Sequence, residues 1–176
     1  MELLIGCGKN HTKKLTRPGH ENWTKLVTLD VNPDHKPDVL YDLEQVPLPF
    51  DPDTFDEIHA YEVLEHVGRQ GDYRFFFQQF EDFWRILKPG GVLCGTSPLP
   101  QGLWAWGDPG HTRIISRECF IFLDQTEYEQ VGRSPMSDYR YIYRADFEPI
   151  HIGTYGTECW SFVMRAHKPA RKVDGI

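Results

Sequence analysis

The sequence has few cysteines and no long apolar run, and each absence narrows the class of protein. Its four cysteines are widely separated and form no C-x-x-C pair, which argues against a disulfide framework or a zinc site. No apolar stretch approaches the roughly 18 residues that a membrane helix needs. The N-terminus also lacks the basic stretch and apolar core of a signal peptide. We therefore expect a cytoplasmic protein with no membrane segment.

Positive charge is scarce as well. The sequence has 19 lysines and arginines and 26 acidic residues, which gives a formal net charge of −7. A surface of that sign repels the nucleic-acid backbone, so the sequence carries no strong signal for nucleic-acid binding. The one basic cluster, formed by Lys13, Lys14, Arg17 and Lys25, is interpreted as a solvated loop. With 176 residues, of which 40% are apolar, the chain is expected to form a single domain, 1–176.

Short apolar runs that end in turn residues predict a set of strands. The predicted strands are 3–5, 25–30, 38–42, 57–61 and 91–96. The clearest predicted helix spans 72–87, where large apolar residues recur at helical spacing. One or two helical turns are expected at 11–15, and a longer helix is expected from Ser116, a good N-cap, to about Tyr128.

Residues 147–156 and 159–167 are predicted to form two antiparallel strands, because alternating segments are joined there by a tight glycine turn. Strand and helix alternate in the earlier part of the chain. The sequence therefore predicts an α/β fold with a mostly parallel sheet and an antiparallel C-terminal hairpin.

Glycines and acidic residues follow the first three predicted strands, at the edge where an open α/β sheet binds its ligands. The Gly-Cys-Gly turn at 6–8 lets the backbone approach a ligand closely. Asp30 ends the second strand, where a carboxylate can accept hydrogen bonds from both hydroxyls of a ribose. Asp42 and Leu43 follow the third, and they suit an adenine edge through a carboxylate and a backbone N–H. Each of these signals, taken alone, also fits an ordinary strand-ending turn.

Further motifs bring in a family resemblance. VLEH at 63–66 and LKPGG at 87–91 resemble the class I SAM-dependent methyltransferases, and within these the small type-11 group. LLIGCG, LDVNP and DLEQVPLPFDPDTFD are similar to the first three motifs of that family. The resemblance covers residues 2–96 in the family's order and spacing. It implies a Rossmann-like fold, S-adenosylmethionine (SAM) as cofactor, and transfer of the SAM methyl group to an acceptor.

The resemblance also implies a role for each residue that matches a motif, with 1–96 as the cofactor-binding half. The implied cofactor-binding residues are Gly6, Cys7 and Gly8 beside the methionine part, Asp30 at the ribose, Val31, Asp42 and Leu43 around the adenine, and Tyr61 and Glu62 at the sulfonium end. Many members carry an acidic residue where this chain has Leu4, and a further glycine where it has Asn10. Because the chain begins inside the first strand, we expect it to lack the N-terminal helix that often covers the cofactor.

The second half of the chain is expected to contain a lid over the acceptor pocket at 97–135 and the C-terminal strands at 136–176. WAWGDPGHTR, residues 104–113, resembles a segment that lies over the acceptor pocket in some family members. On that resemblance Trp104, Trp106, Asp108 and Arg113 bind the acceptor, and His111 is the candidate catalytic base. Asp108 and His111 alone make a poor metal site, so no metal is predicted. His66 is interpreted as structural.

Two other functions share part of this pattern. A nicotinamide-dependent oxidoreductase has the same fold and ribose acid, but its third glycine would fall at His11, whose bulk blocks close helix–strand packing. A non-catalytic domain that binds SAM, or has lost it, and serves as an interaction module stays open. The sequence favours a small-molecule or sugar acceptor without identifying it, and leaves the oligomeric state open.

Overall fold

The sheet is the centre of the fold. The structure is a computed structural model that describes residues 1–16 and 18–171. Within this part, seven strands form one sheet in the order β3-β2-β1-β4-β5-β7-β6. They are β1 (Glu2–Ile5), β2 (Leu26–Asp30), β3 (Val39–Leu40), β4 (Phe55–Tyr61), β5 (Leu87–Pro98), β6 (Phe147–Tyr155) and β7 (Cys159–Ala166). Strands β1 to β5 pair in parallel, and β7 is antiparallel to β5 and β6. The predicted α/β, Rossmann-like sheet is confirmed.

The long helix α1 (Tyr73–Ile86) covers one face of this sheet. Asp72 caps its N-terminus by accepting a hydrogen bond of 3.1 Å from the backbone N–H of Phe75. Its buried apolar side chains join residues of β1, β4, β5 and β7 in one hydrophobic core. β5 begins directly after the helix, four residues earlier than predicted, because Leu87 already pairs with Phe55 and the register then shifts.

The predicted helix at 116–128 is wrong, because the chain forms two 3₁₀ segments there, Arg117–Leu123 and Gln125–Gln130. Asp124 separates them with an extended backbone, and its side chain accepts a hydrogen bond of 2.8 Å from the N–H of Thr126. The side chain of Ser116 makes no capping hydrogen bond. A short helix α2 (Trp104–Gly107) lies between β5 and these segments.

The described parts of the segment 9–24, residues 9–16 and 18–24, cover part of the second face of the sheet. The helical turns expected at 11–15 are absent there. The backbone N–H groups of Lys14 and Leu15 each donate a hydrogen bond of 3.1 Å to the hydroxyl oxygen of Tyr61 on β4. Trp23 packs edge-on against His59, with the ring centroids 4.8 Å apart. These long-range contacts hold the segment in place of helical hydrogen bonds.

A buried ionic cluster lies under that segment. The ammonium of Lys13 is 2.8 Å from Glu2 and 2.7 Å from Glu57, and all three side chains are at most 3% exposed. His59 lies 2.9 Å from the same carboxylate of Glu57. Burial raises the pKa of Glu2, but the hydrogen bonds that it accepts outweigh burial and hold this pKa below its usual value. The interpretation of Lys13 as part of a solvated loop is therefore wrong, and Arg17 lies outside the described residues.

The C-terminal hairpin is confirmed as predicted, with β6 and β7 joined by a turn in which Gly156 has a φ of 62°. Residues 172–176 of the predicted C-terminal segment 136–176 lie outside the described residues. No helix of the described chain combines the length and the apolar character that crossing a membrane would require.

We predict that Lys13→Met lowers the free energy of unfolding by about 3 kcal/mol, since it leaves two buried carboxylates without their ammonium partner. Lys14→Met is the matched control, because the Lys14 ammonium forms a longer and more exposed pair with Glu62. Its effect should stay below about 0.5 kcal/mol. Urea denaturation measures both variants, and equal effects would show that the buried cluster contributes no more than a surface ion pair.

Candidate active site

The carboxyl ends of β1, β2 and β4 meet at one edge of the sheet, and two glycines shape the turn there. Gly6 and Gly8 have φ values of 56° and 55°, a left-handed backbone that favours glycine. A Cβ atom on Gly6 would lie 2.2 Å from a methyl group of Val63, so this glycine packs directly against the turn after β4. A Cβ atom on Gly8 would meet no atom within 4 Å. Gly8 therefore borders open space that a ligand can enter.

Asp30 joins this glycine turn to the end of β2. One of its carboxylate oxygens accepts a hydrogen bond of 2.9 Å from the N–H of Gly8, and the other accepts one of 2.8 Å from Asn32. Burial raises the pKa of Asp30, but these hydrogen bonds outweigh burial and hold the pKa below its usual value. The carboxylate is therefore ionised at neutral pH. The oxygen that accepts from Asn32 has a second lone pair for a ligand hydroxyl, whereas the one that accepts from Gly8 also lies 3.1 Å from Nδ1 of His35.

The predicted adenine-binding residues differ in what they present at this edge. Val31 directly follows Asp30, and its apolar side chain is 64% exposed. Asp42 is half-buried and accepts a hydrogen bond of 2.9 Å from the N–H of Glu44. The Leu43 side chain belongs to the hydrophobic core, so only its backbone is available to a ligand. An exposed apolar side chain beside a buried carboxylate fits a nucleoside, because the faces of its base are flat and apolar and its ribose hydroxyls donate hydrogen bonds.

Cys7 and Tyr61 support the edge from the second face of the sheet. Both are buried and pack together with Leu4. Burial raises the pKa of the Cys7 thiol to about 11, and burial also raises the pKa of the Tyr61 hydroxyl. Their side chains are thus buried within the protein, and the contact with the cofactor that the resemblance implies for them stays a prediction.

Glu62 leaves β4 with a φ of 53°, uncommon for a residue other than glycine. Its N–H donates a hydrogen bond of 2.9 Å to the carbonyl oxygen of Thr96 on β5. Its carboxylate is 42% exposed and lies 3.4 Å from the Lys14 ammonium. The strained backbone therefore places an accessible carboxylate at the carboxyl edge, where the sequence predicted the sulfonium end of the cofactor.

The acceptor-side residues fall into two groups. Leu103, Trp104 and Trp106 are 85%, 56% and 59% exposed, and they form an apolar patch on and before α2. Asp108 stabilises the following turn by accepting a hydrogen bond of 2.7 Å from the N–H of Gly110. The patch is exposed as an acceptor surface requires, whereas Asp108 has a local structural partner.

Arg113, which the resemblance assigns to the acceptor, is buried, and its role in acceptor binding stays a prediction. Arg113 is 4% exposed. Its guanidinium donates hydrogen bonds to the carbonyl oxygen of Leu64 and to the side-chain oxygen of Gln79 on α1. Burial lowers its pKa to about 10. Arg113 therefore cross-links the turn after β4 to α1, because the chain from 108 to 113 folds back under that turn.

His111 lies beside two residues that the sequence reasoning did not assign to the site. Its ring centroid is 4.5 Å from that of His66, and the carboxylate of Glu65 belongs to the same cluster. Glu65 is 2% exposed, and burial raises its pKa to about 7. Glu65 and His66 are the last two residues of the VLEH motif, so the sequence did contain a pattern that points to these two residues. The sequence did not indicate that these two residues lie beside His111, since that contact depends on how residues 104–113 fold.

Comparison with known proteins defines the class of this site. The methyltransferase domain family matches residues 3–95, slightly more than half of the chain. The chain belongs to this family, and the predicted resemblance to class I SAM-dependent methyltransferases is confirmed. The protein is a methyltransferase with SAM as its cofactor. The open space at Gly8, the ionised Asp30 and the exposed Val31 all fit that cofactor.

Solved structures support the same fold across almost the whole chain. A SAM-dependent methyltransferase from Archaeoglobus fulgidus has a TM-score of 0.58 at 16% identity, covering 93% of this chain and 85% of that one. A chain in the complex between the Haloferax volcanii Trm112 methyltransferase activator and the putative methyltransferase has a TM-score of 0.56 at 16% identity, covering 94% and 82%. N-methyltransferase NodS from Bradyrhizobium japonicum, in complex with S-adenosylhomocysteine, has a TM-score of 0.55 at 18% identity, covering 94% and 76%. No curated protein sequence matches the chain.

The two glycines of the turn should respond differently to substitution. Gly6→Ala should lower the free energy of unfolding by about 2–4 kcal/mol, because the new methyl group collides with Val63 in an unfavourable backbone conformation. Gly8→Ala carries only the conformational cost of about 1 kcal/mol, since its methyl group enters open space. Thermal or urea unfolding of both variants checks this order, and a larger loss at Gly8 would contradict the packing described here.

Proposed function

We propose that this methyltransferase acts on a small-molecule or sugar acceptor that binds at the apolar patch formed by Leu103, Trp104 and Trp106. The observation that carries the proposal is a continuous set of contacts from that patch to the cofactor edge. Ala105, between the two tryptophans, accepts from the ring of His111 at 3.3 Å, and His111 packs on His66. His66 belongs to the turn that begins at Glu62. The acceptor surface is thus tied to the end of β4.

The cofactor half of the site would be held by groups that are already in position. Gly8 offers its backbone at an open turn, Asp30 offers carboxylate lone pairs to the ribose, and Val31 offers an apolar face to the adenine. Asp42 and the backbone of Leu43 would serve the adenine edge, with Glu62 near the sulfonium. When bound, SAM supplies a methyl group on a positively charged sulfur that is already activated for transfer. The protein therefore has mainly to align the acceptor and exclude water.

The acceptor half would be formed by residues 97–135. Exposed tryptophan rings suit the apolar face of a sugar or a small aromatic compound. The net charge of −7 disfavours a nucleic-acid acceptor. A hydroxyl acceptor needs its proton removed, whereas an amine need only arrive neutral. His111 as the general base stays a prediction: the Ala105 carbonyl beside its Nδ1 favours a proton there and leaves Nε2 as the proton acceptor.

Binding and turnover together test this function. Calorimetry should show that S-adenosylhomocysteine binds and that NAD does not, because His11 stands where a nicotinamide-binding turn needs glycine. Release of S-adenosylhomocysteine from SAM is then measured against sugars, phenols and small amines. Acceptor-dependent release is the expected result. Binding of S-adenosylhomocysteine without turnover of any acceptor would favour the alternative of a non-catalytic SAM-binding domain. Binding of NAD without S-adenosylhomocysteine would contradict both the methyltransferase and this alternative.

Asp30→Asn should weaken S-adenosylhomocysteine binding by about 1.5–3 kcal/mol, because the ribose loses charge-assisted hydrogen bonds. Asp34→Asn is the matched control, since Asp34 is an exposed aspartate in the loop that follows and lies outside the proposed site. Calorimetry with both variants measures the difference. An unchanged dissociation constant in Asp30→Asn would show that the ribose is held elsewhere.

A further inference from the structure

We propose that Glu65, His66 and His111 bind a divalent transition-metal ion. One carboxylate oxygen of Glu65 and one ring nitrogen of each histidine lie within 4.8 Å of one another. Around a metal with ligand distances of about 2.0–2.2 Å, donor atoms stand roughly 3–4 Å apart. Side-chain movements of less than about 1 Å would therefore bring the three donors onto one ion.

The buried oxygen of Glu65 is an independent reason to place a cation here. The carboxylate accepts a hydrogen bond of 3.2 Å from Ser97 through Oε2. Its Oε1 is buried and has no hydrogen-bond partner among the residues that the structure describes. Arg113, a buried cation nearby, directs its hydrogen bonds to Leu64 and Gln79 instead. A buried carboxylate oxygen without a donor is costly, and a metal ion would supply the missing partner.

Each of the two imidazole rings has its Nδ1 beside a backbone carbonyl oxygen. Nδ1 of His66 lies 3.1 Å from the carbonyl oxygen of Gly110, and Nδ1 of His111 lies 3.3 Å from that of Ala105. Because a carbonyl oxygen can only accept, each Nδ1 carries the proton, and each Nε2 keeps a free lone pair. Hydrogen bonds of this kind fix the tautomer and direction of ligating histidines in known metal sites.

The donor set indicates which class of ion the site would take. Two imidazole nitrogens and one carboxylate favour Zn²⁺, Mn²⁺ or Fe²⁺, whereas Mg²⁺ and Ca²⁺ prefer oxygen ligands. The sequence predicted no metal because it weighed only Asp108 and His111. Glu65 and His66 supply the donors that this pair lacks. In this role His111 acts as a metal ligand and not as the general base.

Three protein ligands leave coordination positions open. Resting on the proposed function, we infer that an acceptor hydroxyl can occupy one of them, because His111 belongs to the loop that carries Trp104 and Trp106. Coordination lowers the pKa of a bound hydroxyl, so that its proton can pass to solvent water near neutral pH. Its oxygen would then form a bond to the SAM methyl group while the bond from that carbon to sulfur breaks and S-adenosylhomocysteine leaves. An oxygen-containing acceptor would therefore suit this site.

Cobalt titration tests the metal site without SAM. The untagged chain, stripped with a chelator, is titrated with Co²⁺, and the visible absorption of the bound ion is recorded. We expect one ion per chain, and His66→Asn and His111→Asn should each weaken binding by about tenfold or more. His151→Asn is the matched control, since His151 is an exposed histidine on β6, remote in sequence from the cluster, and should leave the affinity unchanged.

His66 is exposed, so its replacement removes a donor without opening the core, and circular dichroism confirms that the variant is folded. Absence of stoichiometric Co²⁺ binding, or equal affinity in wild type and both cluster variants, would overturn the site. S-adenosylhomocysteine calorimetry on the same preparation separates this outcome from failure of the proposed function. Nucleoside binding without cobalt overturns the metal site alone, and cobalt without nucleoside overturns the proposed function alone.

Discussion

The carboxyl edge of the sheet, where we propose that the cofactor binds, depends on one hydrogen bond, from the N–H of Gly8 to the carboxylate of Asp30. It joins the turns that follow two neighbouring parallel strands, and the second oxygen of the same carboxylate holds the start of the next loop through Asn32. The left-handed backbone at Gly6 and Gly8 is what directs this N–H toward β2. A ligand at this edge therefore meets an acid whose position and ionisation are already fixed, so little ordering is left for binding to achieve.

The turn at 62–66 joins the glycine turn after β1 to the loop that carries the tryptophans. Val63 fills the space that Gly6 leaves free, which ties the turn to the cofactor side. Glu65 accepts the backbone N–H of Thr112 through its carbonyl oxygen, which ties the turn to the loop that carries the tryptophans. Arg113 then anchors this loop to α1 through Leu64 and Gln79. The proposed cofactor and acceptor surfaces would thus share one support, as alignment of two reactants requires.

Local patterns were sufficient to predict the strands and α1. Apolar runs that end in glycine or aspartate fix where a buried strand stops, and helical spacing of phenylalanines fixes a helix whatever it packs against. The segment 9–24 could not be predicted, because its path depends on hydrogen bonds to Tyr61, almost fifty residues away in sequence. Lys13 looked solvated for the same reason, since Glu57 is brought to it only by the pairing of β1 with β4.

The ionic cluster beneath 9–24 has a thermal consequence. Exposing apolar surface on unfolding raises the heat capacity, whereas exposing polar surface lowers it. A sheet with apolar residues on both faces would raise the heat capacity on unfolding through the exposure of each face. Here part of the second face buries Lys13, Glu2 and Glu57 instead. The heat-capacity change of unfolding is therefore smaller than for an all-apolar sheet of this size, and the stability curve of this enzyme is correspondingly flatter with temperature.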